Sequence, residues 1–181
     1  MIPRPYRRIL LVGFMGSGKT TVGRALAEAL RWRFVDVDAE VERRADAPVH
    51  RIFQREGEAA FRDMEARAAE DLLREEGVVI ATGGGWAAVP GRIENVPERT
   101  AVVWLQVSAA KAVERTKGDP VRRPLLESDD PIVRARALLE ERNPHYAKAR
   151  LAIDTDPASV DDVTAGILEM IRETGIEERT S

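Results

Sequence analysis

Ile9-Leu10-Leu11-Val12-Gly13-Phe14-Met15-Gly16-Ser17-Gly18-Lys19-Thr20 is the stretch from which the rest of the chain can be read. Its apolar run, unbroken by alternation, predicts a short strand buried on both faces. From Thr20 to Leu30 the composition becomes helix-forming, with Val22, Leu26, Ala29 and Leu30 as its apolar positions. Between the two, Gly13 to Thr20 satisfies G-x-x-x-x-G-K-[ST] at every fixed position, in the strand–loop–helix context the pattern requires. Glycines let such a backbone bend until its amides point at a phosphate, and the following helix adds the positive end of its dipole. Lys19 is placed to meet the β and γ phosphates of a nucleotide. Thr20 offers a hydroxyl oxygen to magnesium, a hard cation that prefers oxygen. The plain alternative is an ordinary glycine-rich turn.

Outward from this loop, strands and helices alternate. Phe34 to Asp38 reads as a second strand running out into carboxylates, Val78 to Ala81 as a third ending in Thr82 and Gly83-Gly84-Gly85, and Ala101 to Val107 as a fourth with Ser108 as a helix cap. Val49 to Arg55 predicts a short helix, and Glu58 to Arg74 a longer one with Phe61, Met64, Ala68 and Leu72 at helical spacing. Residues 117–130 hold turn and breaker residues and are expected to form a mobile flap. Asp130-Pro131 opens a helix that should stop near Arg142, because Pro144 disfavours helical geometry at Asn143. Leu151 to Ile153 is the last strand. Ser159-Val-Asp-Asp resembles a capping box before a helix whose Val160, Val163, Ile167 and Ile171 form one stripe, and the tail after Gly175 should fray. The expected architecture is α/β in three layers, a five-stranded parallel sheet flanked by helices, within one domain spanning residues 1–181.

Composition narrows the function. With 181 residues, 44% hydrophobic and 33% charged, the chain has material for one core and a solvated surface. A net charge of -3 lacks the basic excess of a nucleic-acid binder. The absence of cysteine removes disulfides, zinc ribbons and thiol nucleophiles and suits a cytoplasmic protein. Ile9 to Met15 is about half a membrane-spanning length, so neither export nor anchoring is expected. Neither N-K-x-D nor D-x-x-G occurs, which argues against a GTPase switch, and the third and fourth strands do not close on the Asp of a motor-type ATPase. Small-molecule kinases remain. His50 and His145 have no ligand partner at useful spacing.

Further motifs then fall in order: Asp36-Val-Asp38, Gly57-Glu58-Ala-Ala-Phe61-Arg62-Asp-Met-Glu65, Gly83-Gly84-Gly85, Arg123-Pro124-Leu125-Leu126 and Arg142-x-Pro144-x-Tyr146. With the phosphate loop they resemble the shikimate kinase family over roughly residues 9–155. The resemblance implies transfer of the γ-phosphoryl of ATP to the 3-hydroxyl of shikimate, in the route to aromatic amino acids. It also implies a nucleoside-monophosphate-kinase-like fold, with an acceptor-binding region near 37–66 and a lid near 116–128. A monomer acting on small molecules, with no nucleic-acid or membrane partner, is expected.

Site roles follow from the same resemblance. Gly16, Ser17, Gly18, Lys19, Thr20 and Thr21 would hold ATP, Arg115 would lie against adenine, and Arg123 of the lid would neutralise the transferring phosphoryl group. Thr20 and Asp36 would serve Mg2+, while Asp38 would bind substrate hydroxyls and accept the proton of the attacking one. Asp36 and Asp38 stand two apart at the predicted strand end, so their side chains should leave on the same side. A solvated turn with Asp38 as helix cap is the other reading. Arg62 and Arg142 would clamp the acceptor's carboxylate as planar forks, with Gly83, Gly84 and Gly85 beneath it and Phe53, Phe61 and Glu65 as wall and support. Arg142 follows the apolar face of Ala135, Leu138 and Leu139. Arg62 also has Glu58 four residues before it, the spacing of a surface pair, and either arginine taken alone is open to an ordinary structural reading. A gluconate-type carbohydrate kinase and a regulatory module without turnover are the rivals. Arg122 doubles the charge beside Arg123, and Trp86 stands where a small residue is more usual, ahead of Pro90 and Pro97, so the acceptor side is where a departure is expected.

Overall fold

The computed structural model describes residues 6–117 and 130–177. The central strand β1 (Arg8–Val12) is buried along its whole length: the apolar run over residues 9–12 requires it, and Arg8 ahead of it is buried with its guanidinium donating to Glu75 O and Glu98 O. Around it β2 (Arg33–Asp36), β3 (Val78–Ala81), β4 (Thr100–Gln106) and β5 (Leu151–Asp154) complete a five-stranded sheet in the order β2-β3-β1-β4-β5. Every pairing is parallel, with Leu11 beside Ala81, Val12 beside Trp104, and Asp36 beside Ala81 on its other edge. The chain winds to one side of β1 and then to the other, which leaves a crevice at the carboxyl ends of the strands.

Strand periodicity divides the interior. Leu10, Val12, Val78, Ile80 and Val102 point to one face, packed under α2 (Val37–Ala45), α3 (Val49–Leu72), α4 (Ala109–Thr116) and α5 (Pro131–Tyr146). Ile9, Leu11, Val79, Val103 and Leu105 point to the other, against α1 (Lys19–Leu30) and α6 (Val160–Glu177).

Several local expectations hold for the stated reasons. Ser108 caps α4 by accepting from Lys111 N, and Asp130 caps α5 with Pro131 in the first turn. Ser159 and Asp162 form a reciprocal capping box: Ser159 Oγ accepts from Asp162 N at 3.1 Å, and Asp162 Oδ2 from Ser159 N at 3.2 Å. The two helices expected across 49–74 run on as α3, broken at Gly57, whose φ of 83° belongs to the left-handed region.

Three expectations need correction. Asp38 is not part of a strand: β2 stops at Asp36, which caps α2 by accepting from Asp38 N at 3.0 Å, so the cap is Asp36 and Asp38 sits in the first helical turn. α5 passes through Pro144 to Tyr146, because Tyr146 is fully buried, with its ring 6.1 Å from Trp104 and its hydroxyl bound to Gly84 O. These contacts outweigh the one helical hydrogen bond that Pro144 forfeits near the helix end. Val160 leaves the α6 stripe and is 39% exposed, whereas Val163, Ile167 and Ile171 are buried. The proline-bearing stretch after the glycine triplet holds a single 3₁₀ turn, Trp86–Ala88. Most of the expected flap, including Arg122 and Arg123, lies outside the described residues.

Candidate active site

The crevice is a cleft of about 1450 Å³. Gly16 to Thr21 line one end of it, and Asp38, Phe53, Phe61, Arg62, Glu65, Gly83 to Gly85 and Arg142 line the other. Every site residue expected from sequence is therefore gathered here except Arg123, which is not among the described residues.

At the nucleotide end the loop follows β1 and ends at the N-terminus of α1, capped by Gly18 with a φ of 91°. Gly16 shows why the position takes no side chain: its φ is 75°, and a Cβ would come within 2.8 Å of Ala112 O. Lys19 Nζ donates to Gly13 O at 2.8 Å and to Phe14 O at 2.9 Å, so the amine closes the loop on itself. Arg115 ties the loop to the end of β5, donating to Gly16 O at 3.2 Å, Thr155 Oγ1 at 3.0 Å and Thr155 O at 2.6 Å. Thr155, which sequence reading passed over, in turn donates to Gln106 O at 2.8 Å.

Between the ends, Thr20 Oγ1 donates to Asp36 Oδ2 at 2.9 Å. A hydroxyl and a carboxylate from two elements thus meet on the cleft wall, the oxygen donors magnesium favours. Among the described residues no three acidic, histidine or cysteine side chains are grouped so as to hold a metal ion by themselves. Magnesium suits such sparse protein ligation, since nucleotide phosphates and water complete its shell.

The acceptor end is built around buried charge. Glu65 on α3 is fully buried, with Oε2 accepting from Arg62 at 3.0 Å, while its Oε1 and Asp38 Oδ1 are buried without hydrogen-bond partners. Both orphaned oxygens face Gly83, where a Cβ would overlap Glu65 Oε1 and stand 3.0 Å from Asp38 Oδ1. Burial, followed by the negative charges of Glu65 and Asp36, pushes the Asp38 carboxyl up to about 7, against the pull of Lys19 and Arg62. Burial likewise raises Glu65, although Arg62, Arg92 and Arg142 pull the other way. A carboxyl poised near neutrality is suited to accepting a proton at physiological pH.

The expected forks converge here. Arg62 spans Glu65 and Glu58, the latter at 3.4 Å, so the surface pair expected from spacing exists beside the inward contact. Arg142 is 9% exposed, lies over the Phe14 ring at 5.9 Å and donates to Gly84 O at 3.4 Å. Tyr146, one turn further along α5, donates to the same carbonyl, and burial raises its hydroxyl to about 12, which keeps it protonated. Gly83 O accepts from Trp86 N at 3.1 Å and Gly85 O from Ala88 N at 3.3 Å. Phe53 and Phe61 stack 4.8 Å apart as the apolar wall. The Arg142-x-Pro144-x-Tyr146 spacing carried a signal for Tyr146; nothing in the sequence distinguished Arg92.

A phosphate cradle on a helix N-terminus, opposite a poised carboxyl and two guanidinium forks in the same crevice, defines a P-loop kinase of small molecules. The family model for shikimate kinase matches residues 15–172, and the chain belongs to that family. A shikimate kinase of Pseudoalteromonas atlantica is 44% identical over 168 residues, 92% of this chain and 98% of that protein. One from Moorella thermoacetica is 45% identical over 164 residues, covering 91% and 94%. Among solved structures, shikimate kinase from Acinetobacter baumannii in complex with shikimate superposes with a TM-score of 0.86 at 38% identity, covering 93% of this chain and 94% of that one. A gluconokinase from Sinorhizobium meliloti, at 20% identity and a TM-score of 0.65, shares the fold. As a kinase the chain is a nucleotide-binding transferase with ATP as co-substrate.

Proposed function

We propose that this chain transfers the γ-phosphoryl of ATP to the 3-hydroxyl of shikimate, in the chorismate route to aromatic amino acids. The observation that carries the reading is the meeting, in one cleft, of the phosphate loop with Asp38 and the Arg62–Arg142 pair about Gly83–Gly85. The loop amides and Lys19 hold the triphosphate, and the ionised forks bind the acceptor's carboxylate, which turns its ring toward Asp38. Asp38 takes the proton as the hydroxyl oxygen bonds to the γ-phosphorus, and the bond to the β–γ bridging oxygen breaks to release ADP. Thr20 and Asp36 hold Mg2+, which when bound offsets phosphate charge. Arg123 neutralises the transferring group, a role resting on its sequence motif. The chain acts as a cytoplasmic monomer; no helix among the described residues is long and apolar enough to cross a membrane.

The test is a coupled ADP-release assay over a panel of hydroxylated acids and sugars. Shikimate is expected to give the highest kcat/KM. Faster turnover of gluconate, or ADP release independent of any acceptor, would overturn the assignment.

A further inference from the structure

Arg92 does not line the cleft, yet two contacts join it to the acceptor end. Its guanidinium lies over the Trp86 ring at 5.6 Å and donates to Trp86 O at 3.4 Å. Trp86 is 3% exposed, and its own amide donates to Gly83 O at 3.1 Å, inside the glycine turn. Arg92 thus grips the residue that closes that turn, by its ring face and by its carbonyl.

Arg92 also works on Glu65, whose burial makes its charge costly and which shares the region with the carboxyl of Asp38. Arg62 has a double duty. It must hold Glu65 and still attract a carboxylate on the bound acceptor, and Glu58 already draws on it at 3.4 Å. The positive charge of Arg92 attracts the negative charge of Glu65 and so acts in the direction that relieves this demand. A neutral side chain at position 92 would leave Arg62 more fully offset by the two glutamates and less attractive to an incoming anion.

We propose that Arg92, held on Trp86, is a positioning residue for the acceptor: it braces the Gly83–Gly85 turn and shares the charge of Glu65, leaving Arg62 available to the substrate's carboxylate. This rests on the functional reading above. It assigns a purpose to Trp86, the bulky residue after the glycine triplet, as the platform that fixes a third arginine.

Arg92→Gln, Arg92→Lys, Trp86→Phe and the Arg92→Gln/Trp86→Phe double variant of the full chain test it by steady-state kinetics with each substrate varied in turn, alongside Tm. Arg92→Gln is expected to raise the shikimate KM about ten-fold, the scale of one charge-assisted contact, with the ATP KM and kcat near wild type. Arg92→Lys should recover most of that loss, because the positive charge survives. Trp86→Phe should produce a smaller rise that disappears in the double variant, since the ring acts through Arg92. An unchanged shikimate KM in Arg92→Gln, a parallel rise in both KM values, a lysine variant no better than glutamine, or an additive double variant would each overturn the proposal. A lowered Tm with unchanged KM values assigns Arg92 to stability alone and overturns it equally. Failure of the wild type to phosphorylate shikimate refutes the functional reading; normal wild-type turnover with unaffected variants refutes only the role of Arg92.

Discussion

The two ends of the cleft are built in opposite ways. The nucleotide end is one continuous segment, Gly13 to Thr20, whose donors are backbone amides and one amine placed by a strand and a helix that must follow each other. The acceptor end is assembled from side chains on α2, α3 and α5 with a glycine turn beneath them, and its key groups are buried charges with unmatched oxygens. Backbone recognition is cheap and stable. Side-chain recognition of an anion requires charge to be held out of water, and the protein is less stable for it.

That contrast is best broken by substitutions that strike one end. The largest effect is expected from Lys19→Ala, which should lower kcat by about a thousandfold or more while circular dichroism and Tm stay close to wild type. Full activity in that variant would remove the nucleotide end from its assigned place. Asp38→Asn should lower kcat by about a hundredfold or more.

The same variant sharpens the stability half of the comparison. An acid whose folded pKa is raised binds more protons folded than unfolded, so its contribution to stability is present at low pH and is lost as pH rises. For Asp38 that loss runs from the ordinary carboxylate range up to about pH 7. Asp38→Asn should therefore raise Tm at pH 8 without metal or nucleotide, and the gain should shrink toward pH 4. For wild-type enzyme, kcat/KM for shikimate should fall about tenfold per pH unit below 7, as the base becomes protonated. A flat profile across pH 5 to 8 would separate Asp38 from the proton transfer.

Next in size, Arg62→Ala and Arg142→Ala should each raise the shikimate KM by about ten- to a hundredfold, with much smaller changes in the KM for ATP. Equal losses for both substrates would contradict the division into two ends. The smallest effect is expected from Tyr146→Phe, which removes one hydrogen bond to Gly84 O and should cost about 1 kcal/mol in urea unfolding. Its shikimate KM should rise only a few-fold, since Arg142 still reaches the same carbonyl.

The division also explains what the sequence disclosed. Apolar runs fixed β1 and β3 almost to the residue, because strands buried on both faces cannot tolerate polar interruptions. The phosphate loop was legible because its chemistry depends on contiguous spacing. The spacing of Asp36 and Asp38 marks them as a pair but does not carry their geometry, since a strand that ends directly in a helix turns the second carboxyl into the helical first turn. Pro144 misled for a related reason: the tertiary anchor of Tyr146 acts over a distance that local propensity does not register. Arg92 left no local mark. Its meaning comes from Trp86 and Glu65, brought together only by folding.

The glycine turn carries one more implication, for inhibitor chemistry. Each carbonyl of the triplet is already engaged: Gly83 O by Trp86 N, Gly84 O by Arg142 and Tyr146, and Gly85 O by Ala88 N. Gly84 O, with two donors on it, therefore offers a seated molecule little, and donors gain more at the unmatched oxygens of Asp38 and Glu65 beside the turn. The better inhibitor for this end pairs a carboxylate or sulfonate for Arg62 and Arg142 with a hydroxyl donor aimed at those two oxygens.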